Sequence, residues 1–116
     1  MTEKRKLRRW HVVYYLRIFD HETESQLGHV VDLTTEGLKV VSEWPIPTPK
    51  RYNLWMELPR ADGDTQQVHL EAESLWTRRD ESNGRFHNTG FCLASASSET
   101  TRAIRALVDQ LKLDEE

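Results

Sequence analysis

The chain is 116 residues long, with 37% apolar and 30% charged side chains and a mean hydropathy of −0.71. That length supports one compact domain with one core and excludes two. No stretch approaches the roughly 20 apolar residues a membrane helix needs, and the N-terminal MTEKRKLRRW lacks the apolar run of a secretory signal, so a cytoplasmic protein without membrane insertion is expected.

Charge is unevenly held. The first nine residues carry Lys4, Arg5, Lys6, Arg8 and Arg9 against Glu3, a net of +4, which leaves −7 on residues 10–116 of a chain whose total is −3. An acidic body repels an extended polyanion, so neither DNA nor RNA is expected as a partner, although the aromatic and basic content would suit a small RNA-binding barrel. A small anion gripped by the basic arm fits better. A single cysteine, Cys92, excludes an internal disulfide, and its place in Phe91-Cys92-Leu93 predicts a small core hydrophobe rather than a nucleophile.

In chain order, VVYYLRIF at 12–19 is β-branched and aromatic, with Val12, Tyr14, Leu16 and Ile18 on one face of a first strand. A polar turn from His21 to Gln26 follows. Gly28 to Leu33 and Leu38 to Ser42 read as a second and third strand around the tight connection Asp32-Leu33-Thr34-Thr35-Glu36-Gly37. Trp44-Pro45-Ile46-Pro47-Thr48-Pro49 lacks three backbone donors and is expected as an extended loop or sheet edge. Tyr52, Leu54, Met56 and Leu58 alternate with polar neighbours until Pro59, the Asp62-Gly63 turn comes next, and Val68, Leu70 and Ala72 resume the alternation. Leu75 and Trp76 break it, which predicts a bulge near Ser74. Asn83-Gly84 makes the second hairpin turn before a last strand around Thr89 to Ala94.

From Ser97 the period changes: Ser97 or Ser98 can cap a helix, Glu99 suits its first turn, and Ile104, Leu107, Val108 and Leu111 share a face. The whole reads as an all-β fold with a C-terminal helix, a six-stranded antiparallel β-barrel with the amphipathic helix packed on it. The expected division is a basic arm at 1–11, the barrel at 12–96 and the helix at 97–113.

The histidines His11, His21, His29, His69 and His87 show no metal-ligand spacing, and no nucleophile elbow, P-loop or dinucleotide fingerprint is present, so no catalytic residue, metal or cofactor is expected. Two segments do carry chemistry. Arg5 and Arg9 form an RxxxR just before the first strand, and an arginine fork can grip a phosphate or a guanine edge and stack on a base. Asp32, Thr34 and Gly37 form a DxTxxG turn, in which a carboxylate can accept from guanine N1 and N2, a hydroxyl can reach a phosphate or sugar, and a glycine lets a ligand approach or simply supplies a permissive turn dihedral.

Together these motifs resemble the PilZ domain family, whose signature is RxxxR in an N-terminal arm followed, after a strand and a turn, by [DN]xSxxG. The resemblance continues through Val31-Asp32-Leu33, the prolines of WPIPTP, Leu58-Pro59, Leu75-Trp76, Thr89-Gly90-Phe91 and the C-terminal helix. It implies a receptor for the bacterial second messenger cyclic di-GMP, bound by Arg5, Arg9, Asp32, Thr34 and Gly37. Arg8 assists, or replaces Arg9 if the register is shifted by one. The serine of the family motif is Thr34 here, which keeps the hydroxyl and stiffens its rotamer. The resemblance further implies an arm that is mobile until ligand orders it and a protein effector that receives the signal. The alternative reading is a PilZ-like interaction module that binds no nucleotide.

Overall fold

The computed structural model describes residues 10–60 and 62–115, with side chains described between 16 and 109. Six strands and one helix follow one another: β1 (Trp10–Asp20), β2 (Gln26–Leu33), β3 (Gly37–Ser42), β4 (Lys50–Pro59), β5 (Thr65–Arg79), β6 (His87–Ala96) and α1 (Ser98–Glu115). All neighbours are antiparallel, and the order β1-β2-β3-β6-β5-β4 closes on itself as a barrel. The expected six-stranded barrel with a C-terminal helix is therefore what the chain forms.

Period-2 alternation is the reason. In β4, Tyr52, Leu54, Met56 and Leu58 point inward between exposed or half-buried neighbours, and in β5 Val68, Leu70, Ala72 and Ser74 do the same. Leu16, Ile18, Val30, Leu33, Leu38, Val40 and Phe91 complete the filling, with Tyr52 and Phe91 edge to face at 5.9 Å between ring centroids. The ladders differ in length: β4 and β5 pair from Lys50↔Ser74 to Pro59↔Thr65, whereas β1 and β4 meet through Ile18↔Met56, Phe19↔Trp55 and Asp20↔Leu54. The Phe19 and Trp55 rings stack across that short seam at 4.2 Å and 10°.

Of the register shifts in the sheet, two re-aim residues of the outer face. The predicted bulge falls between Ser74 and Trp76, where the pairing with β6 skips Leu75 and leaves it 53% exposed. A second shift lies between Val30 and Asp32 of β2. Val30 and Leu33 are both core residues three positions apart, which strict alternation forbids, so the slip at Val31 is what lets both face inward. It also moves Asp32 to the outer face opposite Lys39, because the adjoining pair Leu33 and Leu38 is inside.

The prolines do make a loop. Residues 43–49 connect β3 to β4, with Ile46 buried in the barrel end. Pro47 O accepts from Tyr52 Oη at 3.1 Å and from Ser74 Oγ at 2.8 Å, while Ser74 Oγ accepts from Lys50 N–H at 3.1 Å. The buried Ser74 hydroxyl is thereby satisfied and ties the loop to β5.

At the other end Ser97 is the helix cap: its Oγ accepts from Thr100 N–H at 3.0 Å and its carbonyl from Thr101 N–H at 2.9 Å. Thr100 Oγ1 donates to His69 O at 3.0 Å, which fastens the first helical turn to β5 while Ile104 and Leu107 enter the core.

Two sequence expectations change. Cys92 is exposed, because Phe91 is anchored inside and the next residue of β6 must face out. The β5–β6 turn is longer than Asn83-Gly84. It is built around Asp80, whose carboxylate accepts from Ser82 N–H and Oγ–H, Asn83 N–H and Asn88 Nδ2–H. Those bonds, the Ser82 hydroxyl foremost, hold the Asp80 carboxyl at a pKa of about 2.

Candidate functional site

The DxTxxG turn joins β2 to β3 and is built by its own threonine. Thr34 N–H donates to Gly37 O at 3.0 Å, and Thr34 Oγ1 accepts from Glu36 N–H at 3.0 Å and Gly37 N–H at 3.1 Å while donating to Gly37 O at 3.3 Å. One donor and two lone pairs are all that a hydroxyl has, so the Thr34 side chain is used up shaping the turn. Glu36 O accepts from Leu93 N–H at 2.9 Å and fixes the turn to β6.

Gly37 is required for a reason the sequence did not disclose. Its φ is not in the left-handed region; instead a Cβ there would stand 2.5 Å from Phe91 O. The backbones of β3 and β6 approach too closely for any side chain. The expected permissive turn dihedral is thus replaced by close strand packing.

Asp32 is 2% exposed, and its Oδ2 lies 3.3 Å from Lys39 Nζ, the residue opposite it on β3. A carboxylate this far from water needs a cation, and Lys39 supplies one while keeping its own side chain 27% accessible. The outer row continues across the sheet. Lys39 is level with Gly90, and Gly90 with Trp76, whose indole covers the glycine so closely that a Cβ there would be 2.5 Å from Trp76 Nε1. The Arg78 guanidinium lies 4.9 Å from the Trp76 ring centroid. At about 4.8 Å per strand, the row from Asp32 to Trp76 covers about 14 Å of outer face.

Among the sequence-predicted site residues, the structure brings Asp32, Thr34 and Gly37 together on one turn; Arg5, Arg8 and Arg9 lie outside the described residues. What is described is the strand that follows them: Trp10 pairs with Leu33 and His11 with Asp32, inside the DxTxxG segment. Lys39, Trp76 and Arg78 were not picked out as site residues. Only strand register sets Lys39 beside Asp32 and Trp76 on the same row, although Trp76 already stood in the Leu75-Trp76 match.

A separate cleft of about 300 Å³, bordered by His21, Asn53, His69 and Ser97, lies near the β1–β2 turn at the far end of β2 from Asp32 and holds no motif residue. Among the described residues there is no group of three or more potential metal-ligating side chains, and no helix is long and apolar enough to cross a membrane.

A closed barrel of six antiparallel strands with one C-terminal helix, carrying a DxTxxG turn beside the entry of its first strand, is the architecture of a PilZ-type domain. The sequence model of the PilZ domain matches residues 3–110, and the chain belongs to that family. The fold is shared with the Bacillus subtilis inhibitor of motility MotI/DgrA, at 14% identity and a TM-score of 0.81 over 99% of this chain, which spans about half (54%) of that one. It is shared with the PilZ domain of YcgR from Escherichia coli, solved with c-di-GMP, at 15% identity and a TM-score of 0.68, covering 97% of this chain and 95% of the other. The PilZ domain of CeSA from a cellulose-synthesizing bacterium superposes at a TM-score of 0.61 with 16% identity, covering 91% and 99%. Among curated proteins no relative matches.

Proposed function

We propose that this chain is a non-enzymatic receptor for cyclic di-GMP, and that ligand draws its N-terminal arm onto the barrel and so creates a surface for a protein effector. The observation that carries the reading is the pairing of Trp10 with Leu33 and His11 with Asp32. Arg9 is one covalent step, about 3.8 Å between Cα atoms, from Trp10. The start of β1, which follows the arginine half of the motif in sequence, therefore lies against the DxTxxG half more than twenty residues further on. Membership in the PilZ family and the c-di-GMP held by the YcgR domain support the choice of ligand.

In this reading Arg5 and Arg9, with Arg8 assisting, clamp phosphates and guanine edges, and Asp32 accepts from guanine N1 and N2 while Lys39 keeps the carboxylate compensated. Thr34 and Gly37 contribute the shape and backbone of the wall, since the Thr34 hydroxyl already serves its turn. Trp76 offers a flat aromatic surface further along the same row. An arm that orders on binding and places Trp10 in a composite surface of arm, barrel and nucleotide gives the effector something to recognise in the bound state alone.

Calorimetry with cyclic di-GMP, with GTP as the control, tests the ligand. Heat with the cyclic dinucleotide alone is expected, and none at high micromolar concentration transfers the assignment to an interaction module without nucleotide. Amide exchange tests the switch: residues 4–9 gain protection with ligand, and strong protection before ligand is added refutes the ordering step while leaving the binding intact.

A further inference from the structure

The barrel wall is one strand short along part of β5. The ladder with β4 ends at Lys50↔Ser74, yet β5 continues to Arg79 and is paired there with β6, through Trp76↔Gly90 to Arg79↔His87. Alternate residues of a strand direct N–H and C=O groups to each side, so Leu75–Arg79 presents half of its backbone groups away from β6. The chain that runs alongside is the loop 43–49, from Ser42, level with His87 and Arg79, to Lys50, opposite Ser74. Pro45, Pro47 and Pro49 in that loop have no N–H, and Pro47 O is taken by Tyr52 Oη and Ser74 Oγ.

Two large apolar side chains are exposed here, one on the stretch itself and one on the loop two residues past Ser42. Leu75 is 53% exposed at its start, and Trp44 is 77% exposed on the loop. The loop is held by buried Ile46, by the Pro47 bonds and by Ser42 Oγ–H donating to Trp44 O at 2.7 Å. A tryptophan presented by a fixed loop loses little conformational freedom when a partner covers it.

Charge selects the partner. Bulges and charged residues blunt free edges, and Arg78 and Arg79 do so against a neutral or basic strand. The same arginines favour an acidic one. The stretch, which has no strand partner on that side among the described residues, contains no carboxylate, and Asp80 just beyond it is spent on the Ser82, Asn83 and Asn88 bonds. Glu43 and Glu73 stand at its borders and set the limits of the cationic segment.

We propose that Leu75–Arg79 of β5, flanked by Trp44, is a docking edge to which an extended segment of a partner protein, alternating acidic and apolar side chains, adds as a further strand. Main-chain hydrogen bonds supply the attachment, Trp44 and Leu75 meet the apolar side chains, and an arginine meets the carboxylates: consecutive residues of β5 point to opposite faces, so one alternating segment engages Arg78 or Arg79 but not both. The proposal does not depend on nucleotide binding and is tested on the ligand-free protein.

The experiment is a titration of the ¹⁵N-labelled full chain with a capped heptapeptide alternating Glu and Val, and with its Lys and Val counterpart. The acidic peptide is expected to move the amides of residues 75–79 and the Trp44 indole. The basic peptide should bind at least tenfold more weakly, and Trp44→Ala should weaken the acidic peptide without altering the rest of the spectrum. In Arg78→Glu with Arg79→Glu the preference should reverse. No response at millimolar peptide, equal binding of both peptides, or a response centred elsewhere overturns the docking edge. Protein dimerisation through residues 75–79, seen by sedimentation, overturns the choice of occupant in favour of a second copy.

Discussion

Replacing Gly37 with alanine separates two meanings of the glycine in the DxTxxG turn. If it stands there for the ligand, the substitution blocks binding and leaves the fold alone. The structure argues otherwise. The added Cβ would lie 2.5 Å from Phe91 O, about 0.9 Å short of the 3.4 Å at which ordinary contact begins. The obstacle is backbone, held by the pairs Gly37↔Cys92 and Leu38↔Phe91, so no rotamer can relieve it and the two strands must separate locally. Forced overpacking of this kind costs about 1–3 kcal/mol. For a domain of this size that corresponds to a fall in Tm of about 4–12 °C. Thermal denaturation followed by circular dichroism measures it in the ligand-free protein. A variant melting within about 1 °C of wild type, with cyclic di-GMP affinity lost, would refute the packing argument and restore the glycine to the ligand.

Arg9→Ala should weaken cyclic di-GMP binding by about 2–5 kcal/mol, the cost of leaving a partly desolvated anion without its donor, while the Tm of the free protein stays put; calorimetry beside Arg5→Ala and Arg8→Ala shows whether the register of the clamp is Arg9 or Arg8. Ser97→Ala removes the acceptor for Thr100 N–H and should lower stability by about 1 kcal/mol in urea denaturation, and an unchanged midpoint would mean that the helix start is held by Thr100 and His69 alone. Burial, and then the charge of Asp20, raise the Tyr52 pKa above 10.0, so its contribution is complete below pH 10 and is lost as pH rises through the folded value. Urea midpoints should therefore fall above pH 10, less so in Tyr52→Phe; equal falls in both would refute the assignment. The Asp80 carboxyl, lowered from 3.8 to about 2, holds its loop above pH 3.8 and releases it as pH falls through about 2, which the amide shifts of Ser82 and Asn83 should follow and Asp80→Asn should abolish.

Much of the barrel is legible in the sequence because alternation is a local signal. Tyr52 to Leu58 and Val68 to Ala72 declare their inward faces without reference to any partner, and the break at Leu75 declares the bulge. Cys92 escaped because its apolar neighbours outweighed its parity, which only Phe91 anchored inside could fix. The DxTxxG segment announced a turn, and its motif spacing announced a family. The role of Gly37 did not follow, since it depends on a carbonyl 54 positions away in sequence. Lys39 and Trp76 were hidden for the same reason: a counter-ion for Asp32 and an aromatic cover for Gly90 exist through cross-strand register, a property of the folded sheet that no window of sequence contains.

The short seam between β1 and β4 sets where this barrel breathes. Among the described residues, three residue pairs, the bond from His21 N–H to Asn53 O and one stacked aromatic couple hold it, against the ten-pair ladder between β4 and β5. Cooperative opening starts where the fewest bonds must break together, so the wall parts between Phe19 and Trp55 before it parts elsewhere, and native-state exchange should find these amides among the first to open in the sheet. At its far end the same strand, β1, carries Trp10 and His11 against Leu33 and Asp32. Between the two, the pairing of β1 with β2 slips from His11↔Asp32 to Leu16↔Val30, a joint that lets the seam open without disturbing the contact beside the DxTxxG turn.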